Sequence, residues 1–385
     1  MLDKILLKTC RCVSLLISVG LVFTPAVFAE TKNSSNATTN QTPLTARNAF
    51  EKLTPGINIG NTLENTTEWE IGWGNPPITK EYIQTLVRLG FKSVRVPVAW
   101  DTYAEQGQIT PRQLSRVSQV VDWIIDQGMY CVINIHWDGG WINSGWDQKY
   151  PPQIRNRLTP QAEEKFKSYW HQIATHFADR SEKLIFEALN EESDFSQEAQ
   201  PYETLNKLNQ LFVDTVRQTG GKNAERLLII AGYTTDIDKT CRADFRIPTD
   251  PTPDRLLLSI HYYTPWQFVG LDEDASWGKM IPTWGSPADF NQLNELFDRL
   301  ATFSKQRNIP VYLGEFTVCS NKDPKYRQLW INSVFKAALK RKMIPVLWDT
   351  GGGVMRKPPY TPSQEVLNML SLLNNQVISN NDNEP

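Results

Sequence analysis

The chain has 385 residues, of which 40% are hydrophobic and 21% charged, with a formal net charge of −2. So neutral a balance gives no basic field for nucleic acid, and the apolar content is enough for a large core. Aromatics are abundant (13 Trp, 12 Tyr and 16 Phe), and flat rings suit either a core or the faces of sugars.

In chain order, Lys4, Lys8 and Arg11 precede an apolar run, Val13 to Phe23, that is too short to cross a bilayer comfortably. Val27 and Ala29 then put small residues third-last and last before a cleavage point. This predicts a secretory signal peptide over 1–29, cleavage before Glu30 and an exported chain with no remaining membrane span. Residues 30–43, rich in Ser, Thr and Asn, are expected to be a disordered leader. Asn33, Asn36, Asn40 and Asn65 each begin a glycosylation sequon. Cys10 and Cys12 leave with the signal peptide, while Cys131 sits in an apolar strand as a buried thiol. Cys241 and Cys319 are the pair open to a disulfide.

From residue 44 onwards, short apolar runs recur: Gly56–Gly60, Ser93–Val98, Tyr130–Ile135, Leu184–Leu189, Leu227–Ala231, Leu256–Ile260, Val311–Gly314 and Pro345–Trp348. They are continuous rather than alternating, as strands buried on both faces must be. Amphipathic stretches lie between them. One starts at Thr79, a capping residue, and ends at Gly90; another starts at Thr110 with Pro111 in its first turn and ends at Gly128. Others fall near 160–178, 202–218, 289–306 and 324–341, with a short closing helix near 363–374 and a fraying tail over 376–385. The connection after Ala231 has the weakest helical pattern. Eight strand–helix units predict one (β/α)8 barrel, a TIM barrel, over 44–375. The rival, an open doubly wound sheet, would carry a Gly-rich phosphate turn that Gly56 to Asn61 does not match.

Barrel active sites lie where strands end. There the sequence places Asn61, Arg95, His136, Asn190 with Glu191, His261 with Tyr263, Glu315 and Trp348. Taken singly, each has a bland reading as a cap, a core histidine or a solvated acid. Together, two carboxyls with Arg, His and Asn at one rim point to paired acid–base and nucleophilic work on a glycosidic bond.

GINIGNTLEN, WGNP, SVRVPVAW, NIH, ALNE, HYY, LGEF and LWD, spread from about Pro55 to Gly353, resemble glycoside hydrolase family 5. The early motifs are most similar to its endo-β-1,4-glucanase and xyloglucanase branch. The resemblance implies a retaining mechanism with Glu191 as acid/base and Glu315 as nucleophile. Asn61, Arg95, His136, Asn190, His261, Tyr263 and Trp348 would support substrate in the cleft, with no metal or other cofactor. A β-linked polysaccharide or oligosaccharide is the expected partner and a monomer the expected state.

Two departures from the family pattern stand out. Glu192 follows the acid/base where Pro is common, and Trp137 follows His136 where a second His is common. The loops 137–158 and 264–288 are Trp-rich, which makes Trp141, Trp266 and Trp284 candidate sugar platforms or packing residues. Rival readings are a catalytically dead carbohydrate-binding barrel, which retention of both Glu191 and Glu315 opposes, and a metal-dependent hydrolase. The four His at 136, 171, 176 and 261 supply no ligand cluster for the latter. Within the glycosidase class, xyloglucan, mixed-linkage glucan and mannan remain alternative polymers.

Overall fold

The computed structural model describes residues 43–144, 151–191 and 193–381. Glu192, the signal segment, most of the leader and residues 145–150 lie outside the described residues. Eight strands, β1 (Gly56–Asn58), β2 (Ser93–Val96), β3 (Tyr130–Asn134), β4 (Leu184–Glu187), β5 (Leu228–Ala231), β6 (Leu256–His261), β7 (Val311–Glu315) and β8 (Ile344–Leu347), close into a barrel in chain order. Every neighbouring pair, β8 with β1 included, is parallel. This is the (β/α)8 barrel expected from the alternating elements.

Among the described residues ten α-helices accompany the strands: α1 (Ala49–Leu53), α2 (Lys80–Arg88), α3 (Pro111–Asp126), α4 (Pro160–His176), α5 (Pro201–Gln218), α6 (Ile237–Thr240), α7 (Trp266–Val269), α8 (Pro287–Arg307), α9 (Pro324–Lys340) and α10 (Gln364–Asn381). Their starts follow the capping chemistry. Thr79 accepts from the Tyr82 amide, Thr110 and Gln113 form a reciprocal capping box, and Ser286 and Asp289 form another. After β5 the connection holds a short 3-10 turn, Tyr233–Thr235, and the single turn α6, in keeping with its weak helical pattern. The closing helix, expected to be short, runs on to Asn381.

Side chains two residues apart on a strand face the same way, so each strand carries an inward row. Near the barrel floor that row is mostly apolar: Val132, Ile185, Leu257, Tyr312 and Val346 pack with Leu44, Ala46, Ala49 and Leu53, which seal the bottom. Two residues further up, it turns polar at Asn134 on β3, Glu187 on β4 and Ser259 on β6. Asn58 on β1 and Arg95 on β2 join them, and all five are fully buried. The outward rows pack against the helices, for example Val94, Ile133 and Phe186 with Ile83, Val121, Phe166 and Trp170. Among the described residues Cys131, Cys241 and Cys319 are all free, so the Cys241–Cys319 pairing does not form. Cys319 is held beside α7 by its amide N–H, which donates to Val269 O (2.9 Å), whereas Cys241 ends α6. Among the same residues no helix is long and apolar enough to cross a membrane.

Candidate active site

Arg95 is the hub of the polar layer. Its Nε donates to Glu187 Oε2 (2.6 Å), one terminal nitrogen to Glu315 Oε1 (2.6 Å) and Asn58 Oδ1 (3.0 Å), and the other to Asn190 Oδ1 (2.9 Å). Burial works against its charge, but Glu187 and Glu315 outweigh that and push its pKa up. The second oxygen of Glu187 accepts from Ser259 Oγ (2.7 Å). Asn58 is fixed in turn by donating to the carbonyls of Gly314 (2.8 Å) and Leu347 (3.2 Å), which joins β1 to β7 and β8.

Glu315 ends β7 with both oxygens engaged, Oε1 by Arg95 and Oε2 by the Tyr263 hydroxyl (2.9 Å). A register shift between Ile260 and His261 sets His261 opposite Glu315. His261 Nδ1 lies 2.8 Å from Glu191 Oε1 and 3.6 Å from Glu315 Oε2. Gly314 lets His261 sit close, since a Cβ on it would lie 3.1 Å from Nε2 and the imidazole would have to shift by a few tenths of an ångström. Burial raises the pKa of Glu315 and the charge of Glu191 adds to this, while His261, Arg95 and Tyr263 act in the opposite sense. The two acids differ in setting: the Glu315 side chain is 6% exposed and that of Glu191 39%.

One ligand atom from each of Glu191, His261 and Glu315 can be chosen so that all lie within 4.8 Å of one another. That spacing would admit a cation. It is also close to the carboxyl separation of about 5 Å found in retaining glycosidases.

His136 and Trp348 form one wall, their rings stacked with centroids 5.8 Å apart and planes at 5°. Asn134 Oδ1 accepts from the Val98 amide, so its Nδ2 is the donor towards His136 Nδ1 (3.2 Å). The imidazole is therefore neutral and carries its proton on Nε2. Burial, then Arg95 and His261, hold its pKa well below the usual value. Gly60 makes room for Trp348, since a Cβ there would lie 2.9 Å from the indole.

These groups open into a cavity of about 900 Å³ whose lining includes Asn61, Trp73, Trp137, Trp266 and Trp348. A smaller cavity, about 440 Å³, adjoins it past Glu191, Tyr263 and Trp266 and is walled by Asp194, Thr234 and Asp236. Thr234 and Thr235 both sit at positive φ (49° and 52°). β-branched residues take this strained conformation only where the surroundings enforce it; here the Thr234 amide is tied to Ser193 Oγ at 2.6 Å.

The nine catalytic and supporting residues read from the sequence gather at this end of the barrel, but their places differ, and the three loop tryptophans divide. Asn61 stays outside the Arg95 network and lines the cavity, with its amide turned to the Glu64 carboxylate. Asn58 is the β1 member of the network. Trp266 is half exposed in the cleft, whereas Trp141 and Trp284 are core residues packed edge-on against Tyr169 and Phe290. Glu187, Ser259 and Asn58 were not singled out from the sequence. The available signal was a carboxylate inside an otherwise apolar run, LIFEAL, matched by an Arg inside another, SVRVPV.

Comparison with known proteins agrees with this geometry. The profile of the Cellulase (glycosyl hydrolase family 5) family matches residues 54–353. Endoglucanase A of Paenibacillus barcinonensis is 34% identical over 365 residues, covering 86% of this chain and 88% of the relative. A xyloglucan-specific endo-β-1,4-glucanase of Bacteroides ovatus is 32% identical, covering 81% of this chain and 66% of the relative. Among solved structures, a broad-specificity endoglucanase from Ruminococcus champanellensis with bound cellotriose aligns with a TM-score of 0.74 at 29% identity, over 86% of this chain and all of that one. A Bacteroides ovatus xyloglucanase in complex with a heptasaccharide aligns at 0.75 and 28% identity, over 86% and 77% of the two chains. With most of its length matched by the family profile and its barrel shared with these structures, the chain belongs to glycosyl hydrolase family 5.

Proposed function

We propose that this protein is a secreted endo-β-1,4-glucanase that cleaves β-glucan chains with retention of configuration. The observation that carries the reading is the pair Glu191 and Glu315, close together at the barrel mouth but set in different surroundings. Glu315, held by Arg95 and Tyr263, attacks the anomeric carbon. As the bond to the aglycone oxygen breaks, Glu191 gives that oxygen its proton. Water then adds to the anomeric carbon, Glu191 takes its proton, and the bond to Glu315 is released. His136 and Trp348 offer a flat wall to the reacting sugar ring, and neutral His136 can donate from Nε2 to a hydroxyl. The signal-like segment over 1–29 supports export. Protein recovered from a culture medium should begin at Glu30.

Xyloglucan is a second candidate substrate. The lining of the cavity extends beyond the carboxyl pair to Ile331 on α9 and Val366 on α10, and branches on the backbone would lie along that extension.

The test is release of reducing ends from carboxymethyl-cellulose, barley β-glucan, xyloglucan and galactomannan, with the fresh ends examined by proton NMR. New ends on a glucan in the β configuration are expected; α ends would overturn retention. Glu315→Gln should lower turnover on every glycan on the order of 10⁴-fold while the fold persists, and undiminished activity would remove Glu315 from the role of nucleophile.

A further inference from the structure

We propose that Glu187 is a positioning residue that competes with Glu315 for the charge of Arg95 and so tunes the nucleophile. The inference rests on the assignment of Glu315 as nucleophile given above. Glu187 is fully buried below the cleft, so a glycan does not reach it. Its hydrogen-bonded link to Glu315 is the shared guanidinium, whose Nε it engages at 2.6 Å while Glu315 engages a terminal nitrogen at the same distance.

A buried ion pair generally adds little stability compared with well-packed apolar residues. A pair with two carboxylates on one guanidinium does something else: it keeps Glu315 from being over-stabilised as an anion. A fully neutralised carboxylate is a weak nucleophile, whereas one sharing its cation retains electron density for attack. Ser259, donating to the other oxygen of Glu187 at 2.7 Å, sets how much negative charge Glu187 brings to the competition.

The charged and titratable groups acting on Glu315 are Arg95 from β2, Glu191 just beyond β4, His261 at the end of β6 and Tyr263 just beyond it, while Glu187 on β4 and His136 beyond β3 act on Arg95 in turn. Tyr312 joins them from the strand of Glu315 itself. Glu187→Gln changes one of these charges with little change of shape. The glutamine oxygen can accept from Arg95 Nε, and its amide can donate to Ser259 Oγ. Arg95 then faces Glu315 alone, which favours the ionised form of Glu315.

The experiment measures kcat/KM against pH on dinitrophenyl β-cellobioside. Its aglycone departs without a proton, so the acid limb reports Glu315. Glu187→Gln should move that limb down by about one pH unit and lower kcat about ten-fold. Ser259→Ala removes a donor from Glu187, throws more of its charge onto Arg95, and should move the limb up; it also serves if Glu187→Gln does not fold. A limb unmoved in the folded variants, or moved the same way by both, would overturn the proposal, even if rates fall. Failure of the parent reading looks different, because Glu315→Gln would then retain activity.

Discussion

A guanidinium sealed inside a barrel can persist only if carboxylates reach it from other strands, and Arg95 receives them from β4 and β7. Glu64, at the rim of the same cleft, is the opposite case, a carboxyl whose burial outweighs the charge of Arg356. Burial raises its pKa to about 7, against the help of the Asn61 and Thr62 amides that it accepts. The unfolded chain releases this proton near 4.5. Between those values the folded state binds more protons than the unfolded one, so stability falls as pH rises from about 4.5 to about 7. The loss attributable to this group is about 3 kcal/mol. Glu64→Gln should flatten that slope in urea unfolding at pH 5 and pH 8, although it weakens one amide contact at both. A slope as steep as in the parent would show that another group is responsible.

Strands and long helices were legible because buried parallel strands need continuous apolar runs and amphipathic helices need a stripe and a cap. All seven expected helical stretches start within about two residues of expectation, because caps such as Thr79, Thr110 and Ser286, the latter two followed by Pro111 and Pro287, leave little freedom. What was not legible depends on which way a side chain faces once the barrel closes. Glu187 was hidden inside an apolar run. Asn58 was passed over for Asn61, because only the register shows which of the two points inward. For the loop tryptophans, composition cannot separate a platform from a core residue. The structure leaves Trp266 on α7 open, set edge-on to Tyr263 with ring centroids 5.9 Å apart, and lining both cavities next to Glu191. Trp266→Ala should therefore raise KM on barley β-glucan roughly five-fold, for about 1 kcal/mol of lost stacking, with kcat nearly unchanged. Trp284→Phe, in the core, should cost stability and leave KM alone. Equal KM effects in the two variants would remove the distinction.

At the scale of the whole molecule, the barrel has two ends with different needs. The mouth is polar and carries the carboxyl pair, while the floor is apolar and would face water if nothing covered it. The segment from Leu44 to Leu53 covers it. Leu44, Ala46, Ala49 and Leu53 are buried against Tyr130, Val132, Ile185, Leu257 and Val346. Backbone and side-chain bonds fix the segment: the Ala46 amide to Asp254 O (2.9 Å), Ser93 Oγ to Leu53 O (2.6 Å) and Lys92 Nζ to Glu51 O (3.1 Å). Burying a leucine contributes about 2 kcal/mol, so losing two of them with their neighbours should cost on the order of 4 kcal/mol. A chain starting at Pro55 should then melt roughly 5 to 10 °C below one starting at Pro43. Its kcat at low temperature should be preserved, because the segment closes the end of the barrel opposite Glu191 and Glu315. Equal melting temperatures would mean that the floor is stable uncovered. A loss of kcat without a loss of stability would mean that the floor and the mouth are coupled through the polar layer around Arg95.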